Sequence, residues 1–404
     1  PNFSFISWRE CVGQEAFAQM KGRIPHGIFR YNPREPRSSY EGTFAMIPTR
    51  TDSNILTTVH NTYTRPRWRI NPIPNPKCPE EMDKFFKHLF PDAECRRYVY
   101  EKIYQILEDR VQVFLVMNGV TGIGKGLFSE ELMEFGVGNT NFMIAPVSWD
   151  KSGFNAWLKN KQVLVLDETK VETEGHGSEN VNLLKRIINE QQSIEEKGKD
   201  PTLAIRSFAS FFITSNNGVK NFKLELDNRR FSVLDLTTIK LRKAFGPEEH
   251  DAILHALTKD EEKRAEFFWW ILKTFKPEVQ KYPDPLHIWK GPTYWKLRYQ
   301  SLPRWKQFII DICTGKDAEP KYDLSDINTK WTEYCEAKGY ESRPWGVNVS
   351  TLIDFLEEYE HKDEDKIGRV IHQGKQNFIE VNDIFISKKA KIKEEKEYSE
   401  VYDL

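Results

Sequence analysis

Apolar positions change their period several times along this chain, and each change marks a structural boundary. Between Pro79 and Asp109, Phe85, Phe86 and Leu89, then Val99, Ile103 and Leu107, recur every three to four residues. That is the spacing of helices with one buried face, and Pro91 divides the stretch in two. From Val111 to Met117 the pattern becomes continuously apolar, and it does so again at Gln162 to Leu166, Phe208 to Thr214 and Phe231 to Leu236. Runs of this length fit strands covered on both faces. Segments of helical period lie between them, at Leu127 to Phe135 and Val181 to Ile188. The alternation predicts an α/β fold whose parallel sheet is built through crossover connections.

The flanks read differently. Residues 1–78 mix Trp8, Phe29, Tyr31, Phe44, Trp68 and Ile70 with Pro, Gly and Arg, which predicts short strands and turns in an N-terminal accessory segment. Arg65, Arg67 and Arg69 around Trp68 suit either stacking on a single nucleic-acid strand or a basic linker docked on the next domain. Residues 79–110 form a helical oligomerisation or packing region, and 111–240 the α/β core. A helical extension and linker over 241–318 follows, with helices at Glu248 to Leu257, Asp260 to Phe275 and Trp305 to Cys313 and breaks at Pro283, Pro285 and Pro292. In 319–387, helices near Asp326 to Lys338 and Ser350 to Tyr359 precede two short strands, Gly368 to Ile371 and Asn377 to Val381, around Gly374. Helices followed by a hairpin predict a winged-helix module, and 388–404 is a charged tail.

Candidate chemistry sits where the strands end. Gly119-Val120-Thr121-Gly122-Ile123-Gly124-Lys125-Gly126 follows the first strand and opens a helix near Leu127. In such a loop the backbone N–H groups of Gly119, Thr121, Gly122, Gly124, Gly126 and Leu127 turn toward phosphate, the helix adds its positive end, and Lys125 reaches the β and γ phosphates. The Ser or Thr that normally follows the lysine and ligates Mg²⁺ is replaced by Gly126. The second strand delivers Asp167 and Glu168 side by side, suited to holding Mg²⁺ and orienting an attacking water. The third ends in Thr214-Ser215-Asn216-Asn217, where Asn216 can sense a γ phosphate or simply cap a turn. Arg229 and Arg230 enter the fourth strand, and one of them can serve as an arginine finger on a neighbour's nucleotide. Between the second and third strands, Lys197-Gly198-Lys199 reads as a hairpin tip projecting cations.

Composition narrows the partners. A net charge of −1 argues against a surface built to wrap duplex DNA, but a ring gripping one strand needs only a few lysines per subunit. Five scattered cysteines without a CxxC pair fit a reducing compartment and no structural zinc. No apolar run approaches a membrane span, so a soluble protein is expected. A start at Pro1 suggests an excised fragment of a longer chain.

Taken in order, the P-loop, the Asp-Glu strand end, the lysine hairpin, the Asn-ended strand and the Asp227-Asn228-Arg229-Arg230-Phe231 segment resemble a superfamily 3 helicase of the AAA+ class. The resemblance spans about residues 80 to 275 and is nearest to the helicase portion of phage and plasmid primase-helicases. It implies an AAA+-type P-loop ATPase that uses ATP and Mg²⁺, assembles as a homo-oligomeric, hexameric ring and translocates on single-stranded DNA. Within that family Lys125 binds phosphate, Asp167 serves the metal, Glu168 serves water, and Asn216 senses the γ phosphate. Arg229 or Arg230 acts in trans, while Lys197 and Lys199 line the pore. It further implies an N-terminal primase-polymerase in the full-length chain and a site of action in the host cytoplasm. A rival reading is an ATP-controlled initiator or assembly scaffold that does not unwind processively. A small-molecule kinase, a third reading, leaves the arginines and the hairpin without use.

Overall fold

The computed structural model describes residues 28–30, 45–46, 58–61, 63–145, 156–167, 184, 187–188, 191–194, 202–216, 229–276, 287–315, 318–341, 344–359, 366–373 and 376–383. Contacts divide the chain into two compact units, one holding the sheet and ending at Tyr294, the other containing Trp295–Leu404.

The first unit opens with three short strands, β1 (Ile28–Arg30), β2 (Ala45–Met46) and β3 (Thr58–Asn61), which pair in the order β1-β3-β2. Two helices follow, α1 (Glu80–Leu89) and α2 (Ala93–Glu108). The break at Pro91 holds, and Asp92 caps α2 by accepting from the Cys95 amide at 2.7 Å. The central sheet then runs β4 (Phe114–Asn118), β5 (Phe142–Ile144), β6 (Val163–Leu166), β9 (Ser210–Ser215) and β10 (Phe231–Val233). Its order is β10-β4-β9-β6-β5, and every pairing is parallel. β4 and β6 are buried along their whole length, as a doubly covered parallel sheet requires. Between β6 and β9 an antiparallel pair, β7 (Gln191–Ile194) and β8 (Thr202–Arg206), carries the segment read as a cationic hairpin. Its tip, with Lys197 and Lys199, lies outside the described residues, as does most of the helical segment Val181 to Ile188.

Aromatic side chains bind the helices to the sheet. Phe86 of α1 stacks on Phe267 with centroids 5.1 Å apart and meets Phe128 edge-on at 5.4 Å, while Phe128 meets Phe212 of β9 at 5.4 Å. All four are fully buried, each a stabilisation of about 1.5–3 kcal/mol relative to exposure. On the alternate positions Phe114 packs against Phe211 and Phe231. Phe128 belongs to α3, which starts as a π-helix over Leu127–Leu132 and continues as an α-helix over Met133–Val137. After β10 come α4 (Leu241–Ala244), α5 (Pro247–Thr258) and α6 (Glu261–Thr274). At Gly136 a Cβ would lie 2.4 Å from the Phe268 ring, so α3 and α6 meet this closely only because no side chain intervenes.

Trp68 resolves the alternative left open for the arginine-rich segment. It is buried, stacks on Phe268 at 5.3 Å and donates its indole N–H to the Gly136 carbonyl at 2.9 Å. Arg69 pairs with Glu108. The segment is a docked linker, with no aromatic face left for a base. Pro292, read as linker punctuation, is instead the first residue of α7 (Pro292–Gln300).

The second unit has its own core. Helices α8 (Arg304–Thr314), α9 (Ile327–Ala337) and α10 (Val349–Glu358) bury Phe308, Trp331 and Phe355 against Ile367, Ile379 and Val381. The hairpin of β12 (Gly368–Gln373) and β13 (Gln376–Val381) gains a third antiparallel strand, β11 (Lys321–Asp323), in the order β11-β13-β12. The predicted order of elements, two helices and then an antiparallel hairpin, is present.

Candidate nucleotide site

In a parallel sheet every strand points the same way, so loops leaving neighbouring C-terminal ends converge. Here β4, β6 and β9 are adjacent, and they end in the glycine loop, Asp167 and Asn216 respectively. Residues 91 positions apart thereby meet: the Lys125 ammonium donates to Asn216 Oδ1 at 2.9 Å. Its other two hydrogen bonds go to the carbonyls of Gly119 at 2.8 Å and Val120 at 2.9 Å. All three protons are used and the side chain is buried, which holds the ammonium in one place. Burial lowers the Lys125 pKa, and the negative charge of Asp167 opposes that shift.

The loop has the backbone that phosphate binding needs. Gly122 and Gly124 have φ of +83° and +109°, in the left-handed region that side chains rarely adopt. At Gly124 a Cβ would also lie 2.7 Å from the Phe85 ring, so α1 closes against the back of the loop. Thr121, Gly122, Gly124, Lys125, Gly126 and Leu127 line an open cavity of about 590 Å³, together with Asp167, Thr214 and Asn216. Gly119 stands behind it, with its N–H on the Ser215 carbonyl at 3.2 Å. Thr214 donates its hydroxyl to Asp167 Oδ1 and so fixes the rotamer of that carboxylate.

The cavity also contains residues that sequence spacing did not single out. Glu130 lies one turn into α3, and its pKa is raised by burial first and then by the charges of Asp167 and Glu131. Four residues after Gly126, it was open to a helical-periodicity argument. Lys240, Leu241, Arg242, His250 and Leu254 close the other wall. They arrive because the Leu241 N–H donates to the Gly122 carbonyl at 2.9 Å, and no short motif signals such a return.

Arg229 and Arg230 do not join this group. They precede β10, whose Phe231 is in register with Phe114 at the start of β4. Phe114 to Asn118 spans about 13 Å of strand, so the arginine pair occupies the opposite rim of the sheet, on an edge strand. Arg229 is exposed and Arg230 partly so. Glu168 lies outside the described residues.

Comparison with known proteins agrees with the architecture. A family model described as a family of unknown function (DUF5906) matches residues 117–230, from β4 to the arginine pair. No curated protein matches the chain. Among solved structures, the apo structure of the NrS-1 C-terminal region (305-718) is similar, with a TM-score of 0.61 at 16% identity, over 92% of this chain and 90% of that one. An A-form apo structure of the same region gives 0.56 at 17% identity, over 93% and 90%. The X-ray structure of JCV helicase aligns more loosely, with a TM-score of 0.29 at 10% identity, over 45% and 50%. The fold is thus a mixed α/β one with an AAA+-like core, shared with the NrS-1 C-terminal region across both units.

The donor set suits a nucleotide with its magnesium. The loop residues and the fixed Lys125 ammonium line the cavity together with the Asp167 carboxylate, which Thr214 aims. That is the division of labour that triphosphate and Mg²⁺ need.

Proposed function

We propose that this chain is an ATP hydrolase and the motor of a ring-forming DNA helicase that moves on single-stranded DNA during phage or plasmid replication. The observation that carries the reading is the Lys125–Asn216 hydrogen bond. It ties the phosphate loop to the end of β9 at the place where a γ phosphate would lie between them. In this reading Lys125 and the loop amides hold the phosphates, Lys125 gives up its bond to Asn216 Oδ1 for a phosphate oxygen, Asn216 donates to the γ phosphate through its amide N–H, and Asp167 faces the metal. Bound Mg²⁺ would neutralise charge on the β and γ oxygens. Glu168, next in sequence, orients or deprotonates the attacking water.

The position of the arginines supports assembly. Arg229 and Arg230 stand on the rim away from their own cavity, so a finger from this pair serves another subunit's nucleotide, which makes a closed, hexameric ring the natural working form. Lys197 and Lys199 then face the pore and hold the strand backbone, on the hairpin whose stem is β7 and β8. An N-terminal primase-polymerase in the full-length protein and a cytoplasmic site of action complete the proposal.

A forked DNA duplex with a labelled strand tests it. ATP-dependent strand displacement, with ATP turnover stimulated by single-stranded DNA, is the expected result. Nucleotide-dependent assembly without displacement replaces the helicase with a scaffold.

A further inference from the structure

Position 126 lacks the hydroxyl that usually ligates magnesium after a P-loop lysine, and the structure shows what stands there instead. Gly126 is in ordinary right-handed helical conformation, with φ −63° and ψ −37°, so its lack of a side chain answers no backbone demand. A Cβ built at 126 would project to within 3.4 Å of Glu130 Oε1 and 4.0 Å of Oε2. The Glu130 carboxylate therefore occupies the space beside which a Ser or Thr side chain would sit. It lines the same cavity as Lys125, Asp167 and Asn216. Among the described residues no salt bridge or hydrogen bond engages its carboxylate. The helix is adapted here as well: Glu130 lies inside the π-helical turn, where the Met133 N–H reaches the Phe128 carbonyl five residues back as well as that of Glu130. Single π turns within α-helices are frequent at functional sites.

We infer that Glu130 replaces the missing hydroxyl of position 126 as a protein oxygen for the nucleotide's magnesium, alongside Asp167. The inference rests on the nucleotide site proposed above. Magnesium is commonly held by one or two carboxylates together with phosphate oxygens and water, and Asp167 with Glu130 is such a pair. The exchange of a neutral hydroxyl for a carboxylate also explains why a glycine is suitable at 126. A Cβ there would already stand at contact distance from the Glu130 carboxylate.

Titration of the full chain with Mn²⁺ in the presence of ADP, with free Mn²⁺ followed by electron paramagnetic resonance, tests this directly. Glu130→Gln should weaken Mn²⁺ by at least the ~10-fold typical of losing even an outer-shell partner. Adding Gly126→Ser to Glu130→Gln should recover most of that loss, because the serine returns a hydroxyl ligand and its Cβ meets the side chain at 130 at contact distance, 3.4 Å, without a clash. Fluorescent ADP binding in EDTA, together with a thermal melt, shows that each variant is folded. Unchanged Mn²⁺ affinity in Glu130→Gln, or a loss that Gly126→Ser does not repair, overturns the inference while leaving the nucleotide site standing. If ADP in EDTA binds wild type no better than Lys125→Ala, the nucleotide site falls and takes this inference with it.

Discussion

Each rim of the central sheet buries a cation on backbone carbonyls, and the two settings differ in what adjoins the cation. At the N-terminal rim Arg110, 3% exposed, donates to the Ser207 carbonyl at 2.7 Å and to that of Ile188, while the Ser210 hydroxyl accepts the Val111 N–H at 2.9 Å. Gln162 ties the start of β6 to the end of α2 by donating to the Ile106 carbonyl at 2.6 Å. At the C-terminal rim Lys125, 7% exposed, has the same kind of acceptors, but it forms the wall of a cavity. The Arg110 guanidinium is committed to carbonyls of the chain; Lys125 can trade its carbonyls for phosphate. A buried cation is thus a structural staple or a binding group according to whether open space adjoins it, and burial alone does not tell the two apart.

The largest effect that follows is on turnover. Lys125→Ala should abolish ATP hydrolysis measured by phosphate release while moving the melting temperature little. Glu168→Gln should also abolish it yet keep ATP bound in a filter assay. If Lys125→Ala unfolds the protein instead, the contrast between the rims collapses, because Lys125 would then be a staple like Arg110.

Next in size is the arginine pair. Removing the finger should slow turnover by about 10³ to 10⁵. Mixing Arg229→Ala or Arg230→Ala protein with Lys125→Ala protein should restore part of the activity, since each parent supplies the half of the site that the other lacks. Full activity in both single arginine variants would falsify the trans arrangement.

Arg110→Met sharpens the comparison from the structural side. It leaves the carbonyls of Ser207 and Ile188 dry, at a cost of about 1–3 kcal/mol each, and denaturant unfolding should register that loss. Turnover per folded molecule should stay near wild type, the reverse of Lys125→Ala.

The sequence made the sheet legible because β4, β6 and β9 are short, nearly continuous apolar runs, as strands covered on both faces are. Helices α1, α2, α5, α6, α8, α9 and α10 were equally plain from their period. β5 and β11, at three residues each, are too short to show any. Pro292 misled because a proline suits a linker and the first turn of a helix alike, and only the Asp235 carboxylate accepting from the Thr293 N–H at 2.8 Å distinguishes the two. In the cavity, Asp167 and Asn216 were visible because each directly follows an apolar strand, and Lys125 because it closes the glycine loop that follows another. Lys240, Arg242 and His250 were not, because the Leu241–Gly122 backbone bond that brings them there leaves no mark in side-chain pattern. Trp68 shows the converse: a tryptophan among arginines has the composition of a nucleic-acid contact, yet the Gly136 carbonyl and the Phe268 ring consume both its polar and its apolar surface.

The smallest predicted effect concerns aim rather than presence. Thr214 contributes no charge to the cavity, and its hydroxyl is committed to Asp167. Thr214→Val keeps the shape of the β9 end and removes that one donor, so the Asp167 carboxylate remains but is free to rotate. Mg²⁺ should then be needed at about 10-fold higher concentration for half-maximal turnover, with the rate at saturating Mg²⁺ near wild type. A lower saturating rate with unchanged Mg²⁺ demand would mean that Thr214 acts on the reacting phosphate itself, and that the polar residues of this rim bind substrate directly where those of the other rim only bind the chain.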